Sequence, residues 1–170
     1  TTMAMSNGKV VNFFTGSLVI DGQNQPSQSL TLKRGVARFD LNVDVAGSAA
    51  IESLTLRNVA QSGYLFAQGE VAASPADVER NDVTAHFDTA LSASTPGVLY
   101  VYEQENAGIE VSIEAVIDGQ HKVLTKTLEG NLKRNTIYTV TVRKNDIDIV
   151  VKVGIDDWEP GEDTEIIPQL

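Results

Sequence analysis

Two runs of alternating apolar and polar residues near the C-terminus constrain the fold of this chain most strongly. They cover residues 132–142 and 147–153, and the polar pair Asn145-Asp146 lies between them. Such alternation is typical of β-strands with one buried face, and Asn and Asp tolerate the positive φ of a tight turn. The pattern therefore predicts a β-hairpin that closes a sheet.

The side chains also predict a register for this hairpin. A two-residue turn at Asn145-Asp146 places Val142 opposite Ile149, Val140 opposite Val151, Tyr138 opposite Val153, Arg143 opposite Asp148 and Thr139 opposite Lys152. Apolar residues then meet on one face and opposite charges on the other, which stabilises an antiparallel pair.

A second hairpin is predicted around Asp118-Gly119, after a strand whose odd-numbered positions are apolar. A two-residue loop would set Lys122 opposite the inward-facing Ala115. We predict instead a three-residue loop with a left-handed Gly119, which forms a bulge. The cross-strand pairs would then be Glu114 with Lys122, Glu110 with Lys126 and Ile113 with Val123.

About ten short strands with frequent turn signals predict an all-β protein, an antiparallel two-sheet β-sandwich. We expect one β-sandwich domain at residues 1–155 and an acidic C-terminal tail at 156–170; a two-lobed chain that divides at residues 68–82 is the alternative. The predicted core contains Phe39, Leu41, Val43, Leu54, Leu56, Ile113, Val140, Val142, Ile149 and Val151.

Composition excludes several classes of function. The net charge of the 170 residues is −10, and an acidic surface repels phosphate backbones, so we expect no nucleic-acid partner. Cysteine is absent, which rules out disulfides, thiolate metal sites and a Cys nucleophile. No apolar run reaches the roughly 18 residues of a membrane span. No signal peptide opens the chain, and we therefore expect a mature form whose export signal has been removed.

No catalytic motif is present, so we predict no enzyme, no cofactor and no metal site. The chain's two histidines, His86 and His121, are interpreted as polar residues at strand ends rather than general bases. Glu103 and Glu105 lie two residues apart, as a carboxylate pair would, but are interpreted as solvated loop charges. The six acidic residues within 156–165 predict a solvated terminus, with a calcium site as the alternative.

Four aromatic residues leave two interpretations open. Tyr64, Tyr100, Tyr102 and Trp158 would form a sugar-stacking platform in a surface glycan-binding module. Tyr100 and Tyr102, however, alternate with Leu99 and Val101 within a strand. We therefore favour packing in the core or at its edge for the tyrosines, and a plug at the end of the sandwich for Trp158.

Two segments resemble fimbrillin-like subunits of the surface fimbriae of Bacteroidetes. One runs from Leu32 to Phe66 and contains an L-x-R-x-x-A-R strand followed by I-x-S-L-x-L-x-N; the other is the C-terminal L-x-R-N-x-x-Y-x-V-x-V hairpin followed by D-W-x-x-G. The resemblance implies a transthyretin-like, Greek-key sandwich in an exported protein. It also implies a lipoprotein at the outer membrane or in a fimbrium of the cell surface. Commonly such proteins have two sandwich domains, and this chain has room for about one.

The same resemblance implies how such a protein acts. Fimbrillin-like subunits serve adhesion, and their partners are other fimbrial subunits or further copies of themselves; a host surface protein or glycan would be the adhesion ligand. In polymerising members a protease that cuts after Arg removes an N-terminal strand, and a strand from the next subunit replaces it. Arg34 is the candidate processing site here, residues 10–20 the removable strand, and residues 164–170 the candidate donor.

Overall fold

The computed structural model describes residues 1–18, Gly22 and 29–153. Its twelve strands are β1 (Thr2–Ala4), β2 (Phe14–Thr15), β3 (Lys33–Arg34), β4 (Val36–Val43), β5 (Ala49–Ala60), β6 (Ser62–Tyr64), β7 (Arg80–Leu91), β8 (Thr95–Tyr102), β9 (Glu110–Ile117), β10 (Gln120–Thr127), β11 (Thr136–Val142) and β12 (Ile147–Val153). Within these described residues, no helix is long and apolar enough to cross a membrane.

Two four-stranded sheets form a β-sandwich, as the sequence predicts. The first sheet has the order β10-β9-β5-β7 and the second the order β12-β11-β4-β8. All pairs in both sheets are antiparallel except β4 with β11, which run parallel. Parallel neighbours need a long crossover, and here β5 to β10 intervene. The predicted antiparallel two-sheet sandwich is confirmed, with this one parallel pair inside it.

The inward-facing residues of both sheets form the core. Phe39 and Tyr138 stack in its centre, with ring centroids 5.2 Å apart. Most of the predicted core is confirmed as buried: Phe39, Leu41, Leu54, Leu56, Ile113, Val140 and Val142. Val43 and Ile149 are partly buried. Val151 is 51% exposed, so its predicted burial is wrong; it lies on β12, the edge strand of the second sheet.

The β11–β12 hairpin has the predicted faces but a different register. Val142 lies opposite Ile147 rather than Ile149, and Thr139 lies opposite Val150 rather than Lys152. The turn residues are Lys144 and Asn145, one position earlier than predicted, and the flanking Arg143 N–H donates to the Asp146 carbonyl at 2.9 Å. Because side chains alternate with a period of two, this two-residue shift keeps every side chain on its predicted face.

The β9–β10 turn differs from the prediction in the opposite sense. Asp118 and Gly119, at φ 50° and 78°, form a two-residue turn with positive φ at both positions, and this geometry matches the twist of paired strands. Ala115 therefore lies opposite Lys122, and the predicted bulged loop with its Glu–Lys pairs is wrong.

The ammonium group of the inward-facing Lys122 has hydrogen-bond partners at the edge of the sandwich. Its Nζ crosses the edge of the sandwich and donates to the Lys144 carbonyl at 2.8 Å and to Asn145 Oδ1 at 3.0 Å. Four residues further on, Lys126 Nζ donates to Asp148 Oδ1 at 3.0 Å. These contacts join β10 to the β11–β12 hairpin, and inward-facing lysines are a common protection for edge strands.

Candidate functional site

Residues 1–15, which we call the N-terminal segment, pack on the outer face of the second sheet. Val36, Tyr102 and Ile137 are outward-facing residues of three neighbouring strands, and they form an apolar cluster separate from the core. We call these three residues the apolar strip. Side chains of the N-terminal segment cover it, namely Met3, Met5, Val10 and Phe13. The strip is consequently almost fully buried.

Tyr102 is the polar anchor of the strip. Its hydroxyl accepts a hydrogen bond from the Val11 N–H at 2.8 Å and donates one to the Ala4 carbonyl at 3.1 Å. Burial raises the pKa of Tyr102 above its ordinary value of 10.0, although the hydrogen bond from Val11 opposes this shift. One side chain of β8 therefore holds two points of the N-terminal segment.

The Phe13 ring packs directly against Gly35. A Cβ atom placed on Gly35 would lie 1.9 Å from Phe13 Cε2, so only glycine permits the ring to occupy this position. The Gly35 N–H also donates to the Phe13 carbonyl at 2.9 Å, and the Phe13 ring lies 6.3 Å from the ring of Tyr102.

Backbone pairing of the N-terminal segment is short. β1 pairs with β6 over three positions, and β2 pairs with β3 over two. In the described part of the predicted removable strand, only Phe14 and Thr15 belong to a strand, while Val10 and Phe13 pack on the apolar strip. Ile20 and its neighbour Val19 lie outside the described residues.

Arg34, the candidate processing site, lies within β3 and is half-buried. Its guanidinium carbon is 4.8 Å from the centroid of the Phe14 ring on the paired strand, which is a cation–π contact. Gly35 and Val36 follow directly and are buried. A protease therefore needs β2 and β3 to separate before it can bind this bond in an extended conformation.

The C-terminal motif organises the same end of the molecule. Arg134 forms an ion pair with Glu103, Nε to Oε1 at 3.1 Å, and both side chains are about nine-tenths buried. Its terminal nitrogens donate to the Tyr64 and Leu65 carbonyls at 2.9 and 3.0 Å. Arg134 thus fixes the end of β6, the strand that pairs with β1. The interpretation of Glu103 as a solvated loop charge is wrong, because its side chain is buried in an ion pair with Arg134.

The motif's tyrosine closes the corner before β11. The Tyr138 hydroxyl accepts from the Lys133 N–H at 2.9 Å and donates to the Asn131 carbonyl at 3.2 Å. This arrangement is like the tyrosine corner of immunoglobulin-type sandwiches. Burial raises the pKa of Tyr138 above 10.0. The described part of the motif therefore has a structural role.

The structure describes some of the remaining candidate residues and leaves others outside its range. Tyr102 is buried, as the packing interpretation predicts, whereas Tyr64 and Tyr100 are partly buried. His86 lies in the middle of β7 rather than at its end. Trp158, the acidic tail and the candidate donor at 164–170 lie outside the described residues.

One group of metal-type ligands was not foreseen from the sequence. Glu52, Glu114 and His121 offer ligand atoms that all lie within 4.8 Å of one another on the outer face of the first sheet. They come from β5, β9 and β10, and no short motif links them. Predicting this group from the sequence would have required the pairing of the three strands and the position of the irregularity in β5.

Comparison with known protein families gives one match. Residues 68–152, half of the chain, match the bacterial Ig-like domain family. The matched region begins in the loop before β7 and ends within β12, and so covers strands of both sheets. No curated protein matches the chain.

Several solved structures resemble the molecule. A "putative cell adhesion protein" from Bacteroides uniformis ATCC 8492 is 14% identical, with a TM-score of 0.50 over 76% of this chain and 53% of that one. A protein of the same description from Bacteroides eggerthii DSM 20697 is 12% identical, with a TM-score of 0.45 over 72% and 56%. The tip fimbrial protein Mfa3 from Porphyromonas gingivalis is 18% identical, with a TM-score of 0.45 over 75% and 52%.

The chain therefore spans about half the length of the solved proteins that it resembles. At these identities the likeness concerns the fold. The resemblance to adhesion proteins of Bacteroidetes that the sequence motifs predict is confirmed at that level by the Bacteroides uniformis structure.

Proposed function

Because this chain belongs to the bacterial Ig-like domain family, we propose that it is a non-catalytic adhesion protein of the bacterial cell surface. Within that class it acts as a structural or accessory subunit of a fimbrium and assembles by β-strand addition. The relative of the same fold from Bacteroides uniformis carries a cell-adhesion description, which agrees with this proposal.

The seating of the N-terminal segment is the observation that carries the proposal. Its side chains bury the apolar strip, but only β1 and β2 pair with the rest of the chain, over three and two positions. A covering element with much side-chain contact and little backbone pairing can be exchanged without disrupting the two main sheets. The same strip then offers its apolar surface to a strand donated by another subunit.

The incoming strand would add to β6. When β1 leaves, the Gln61 carbonyl loses its bond from the Met5 N–H, and the Leu65 N–H loses its bond to the Thr1 carbonyl. An edge strand with free backbone groups is a template for strand addition, in which backbone bonds supply affinity and side-chain pockets supply specificity. Arg134 holds this edge in position through the carbonyls of Tyr64 and Leu65.

Arg34 is the proposed processing site, since a cut after it releases β1, β2 and β3 together. The proposed partners are other fimbrial subunits or further copies of this chain, with residues 164–170 as the donor. The proposed location is the cell surface, reached by export, with a lipid anchor at the outer membrane.

Limited digestion with an arginine-specific protease tests the proposal. We expect a first cut after Arg34, followed on size-exclusion chromatography by oligomers, or by a 1:1 complex when a peptide of residues 1–18 is added back. Arg34→Gln is the matched control, and it should resist the cut and stay in its original state. A cut product that remains folded and monomeric and takes up neither peptide nor a second copy would contradict assembly by strand addition.

A further inference from the structure

The geometry points to a binding site for a divalent transition-metal ion on the outer face of the first sheet, with Glu52, Glu114 and His121 as its ligands. The ligand atoms of the three side chains lie within 4.8 Å of one another. His121 Nε2 and Glu52 Oε2 are 3.3 Å apart. Two ligands bound tetrahedrally at 2.0–2.1 Å from one Zn²⁺ lie about 3.3 Å apart, so this pair already has the required spacing.

A β-bulge in β5 lies at the site. The register of β5 shifts between Ile51 and Ser53 against both of its neighbours, β7 and β9. Ile51 and Leu54 remain buried in the core, and the extra residue therefore leaves Glu52 and Ser53 both on the outer face. Bulges commonly redirect a side chain in this way.

Ser53 orients the second carboxylate. Its Oγ donates to Glu114 Oε2 at 3.3 Å, and Ser53 itself is buried beneath the neighbouring side chains. Hydrogen bonds from residues behind a metal ligand fix its orientation and contribute to affinity. Glu114 therefore keeps one oxygen directed by the sheet and the other available to an ion.

The charges around the site favour a cation. Among the described residues, the one ion pair formed by Glu52 or Glu114 is that between Glu52 and His121. Glu110 lies on the same strand and face as Glu114, but Arg57 neutralises it at 3.3 Å. A divalent ion would supply to the Glu52–Glu114 pair the positive charge that Arg57 supplies to Glu110.

The ligand set indicates the class of metal. An imidazole with two carboxylates suits Zn²⁺, Cu²⁺ or Ni²⁺, whereas Ca²⁺ and Mg²⁺ prefer oxygen ligands alone. The side chains of His121 and Glu52 are 58% and 45% exposed, so one or more coordination positions stay open to water or to a ligand from another molecule.

The second histidine provides an internal control. His86 lies opposite Ser53, which in turn lies opposite Glu114, so both histidines of the chain are on this face. His86 is nevertheless outside the group of converging ligand atoms. A specific site should depend on His121 and not on His86.

Isothermal titration of the full chain with Zn²⁺ tests the site. We expect saturable binding of one ion. His121→Gln or Glu114→Gln should weaken it at least about 10-fold, and Ser53→Ala by about 10-fold, the lower end for a residue that orients a ligand. The matched controls His86→Gln and Glu110→Gln should leave the affinity unchanged.

Imidazole NMR spectra of the unaltered chain give a second readout that needs no substitution. On addition of Zn²⁺ the signals of His121 should shift while those of His86 do not. Absence of saturable binding, binding that survives His121→Gln, or an equal loss in Glu110→Gln would each overturn the site. The last two outcomes would show that the ion is held by acidic surface charge in general.

Discussion

The outer faces of the two sheets differ in how much of them is covered. On the second sheet, the outward-facing Val36, Tyr102 and Ile137 are 0%, 1% and 4% exposed. On the first sheet, the outward-facing Val123 is 53% exposed, and Glu114 and His121 are open to solvent. A sandwich needs only its inner faces for a core. The covered face therefore contributes additional stability, while the open face is available for binding.

The largest expected effect comes from emptying the covered face. Tyr102→Ala removes a fully buried aromatic ring and both of its hydrogen bonds to the N-terminal segment, and we expect it to lower the free energy of unfolding by about 3–5 kcal/mol. Urea denaturation measures the change. Val123→Ala on the open face is the control and should cost little. A loss below about 1 kcal/mol for Tyr102→Ala would mean that the strip adds no more stability than an exposed surface.

A smaller effect should follow from lifting the N-terminal segment while keeping the strip intact. In Gly35→Ala the new Cβ would overlap the Phe13 ring, so Phe13 must move. We expect a cost of about 1–3 kcal/mol, the usual range for overpacking. Proteolysis within residues 1–15 should become faster, and the double variant Phe13→Ala/Gly35→Ala should lose most of the additional cost of Gly35→Ala. Unchanged proteolysis would contradict the proposal that Gly35 makes room for the Phe13 ring and so holds the N-terminal segment in place.

The sequence predicted which side chains face the core better than it predicted which residues pair. Whether a side chain faces inward or outward follows from the period-two alternation along its strand. A shift of two residues in the β11–β12 hairpin leaves these directions unchanged. The pattern therefore could not distinguish Ile147 from Ile149 as the partner of Val142. At the β9–β10 turn, the bulged loop was predicted because an inward-facing Lys122 would bury a charge. Its side chain is long enough to leave the core edge and bind the opposite hairpin.

Features that join distant segments had no signature in the sequence. Glu103 and Arg134 form a buried pair across 31 residues, and each looks like an ordinary surface charge when read alone. The Glu52 bulge has no turn residue that marks it. The covered face did leave a trace, since Val36 and Ile137 are apolar at outward positions, which indicates a second layer above the sheet. What that layer is could not be deduced without the fold.

Two buried tyrosine hydroxyls, that of Tyr102 beneath the N-terminal segment and that of Tyr138 in the core, make the stability of the protein depend on pH. Burial raises the pKa of Tyr102 and of Tyr138 above 10.0. Because the folded state favours the neutral phenols, this stabilisation is complete below pH 10 and is lost as the pH rises above it. At neutral pH, Tyr102→Phe should cost about 1–2 kcal/mol for its two hydrogen bonds. The difference from the unaltered protein should shrink at higher pH, and a difference that stays constant past pH 10 would contradict this account.

The sharpest comparison of the two faces comes from one substitution made on each, and its exposed member has the smallest expected effect. Val→Thr keeps the β-branched shape and strand propensity but adds a hydroxyl. At Val123, which is 53% exposed, water satisfies the hydroxyl, and the free energy of unfolding should change by less than about 0.5 kcal/mol. At Val36, which is fully buried beneath the N-terminal segment, the same hydroxyl has no such access to water and should cost about 1–3 kcal/mol. Parallel urea titrations of Val36→Thr and Val123→Thr give both values under one condition. Equal costs at the two positions would mean that the two outer faces are equally covered in solution. The contrast from which assembly on one face and metal binding on the other are inferred would then fail.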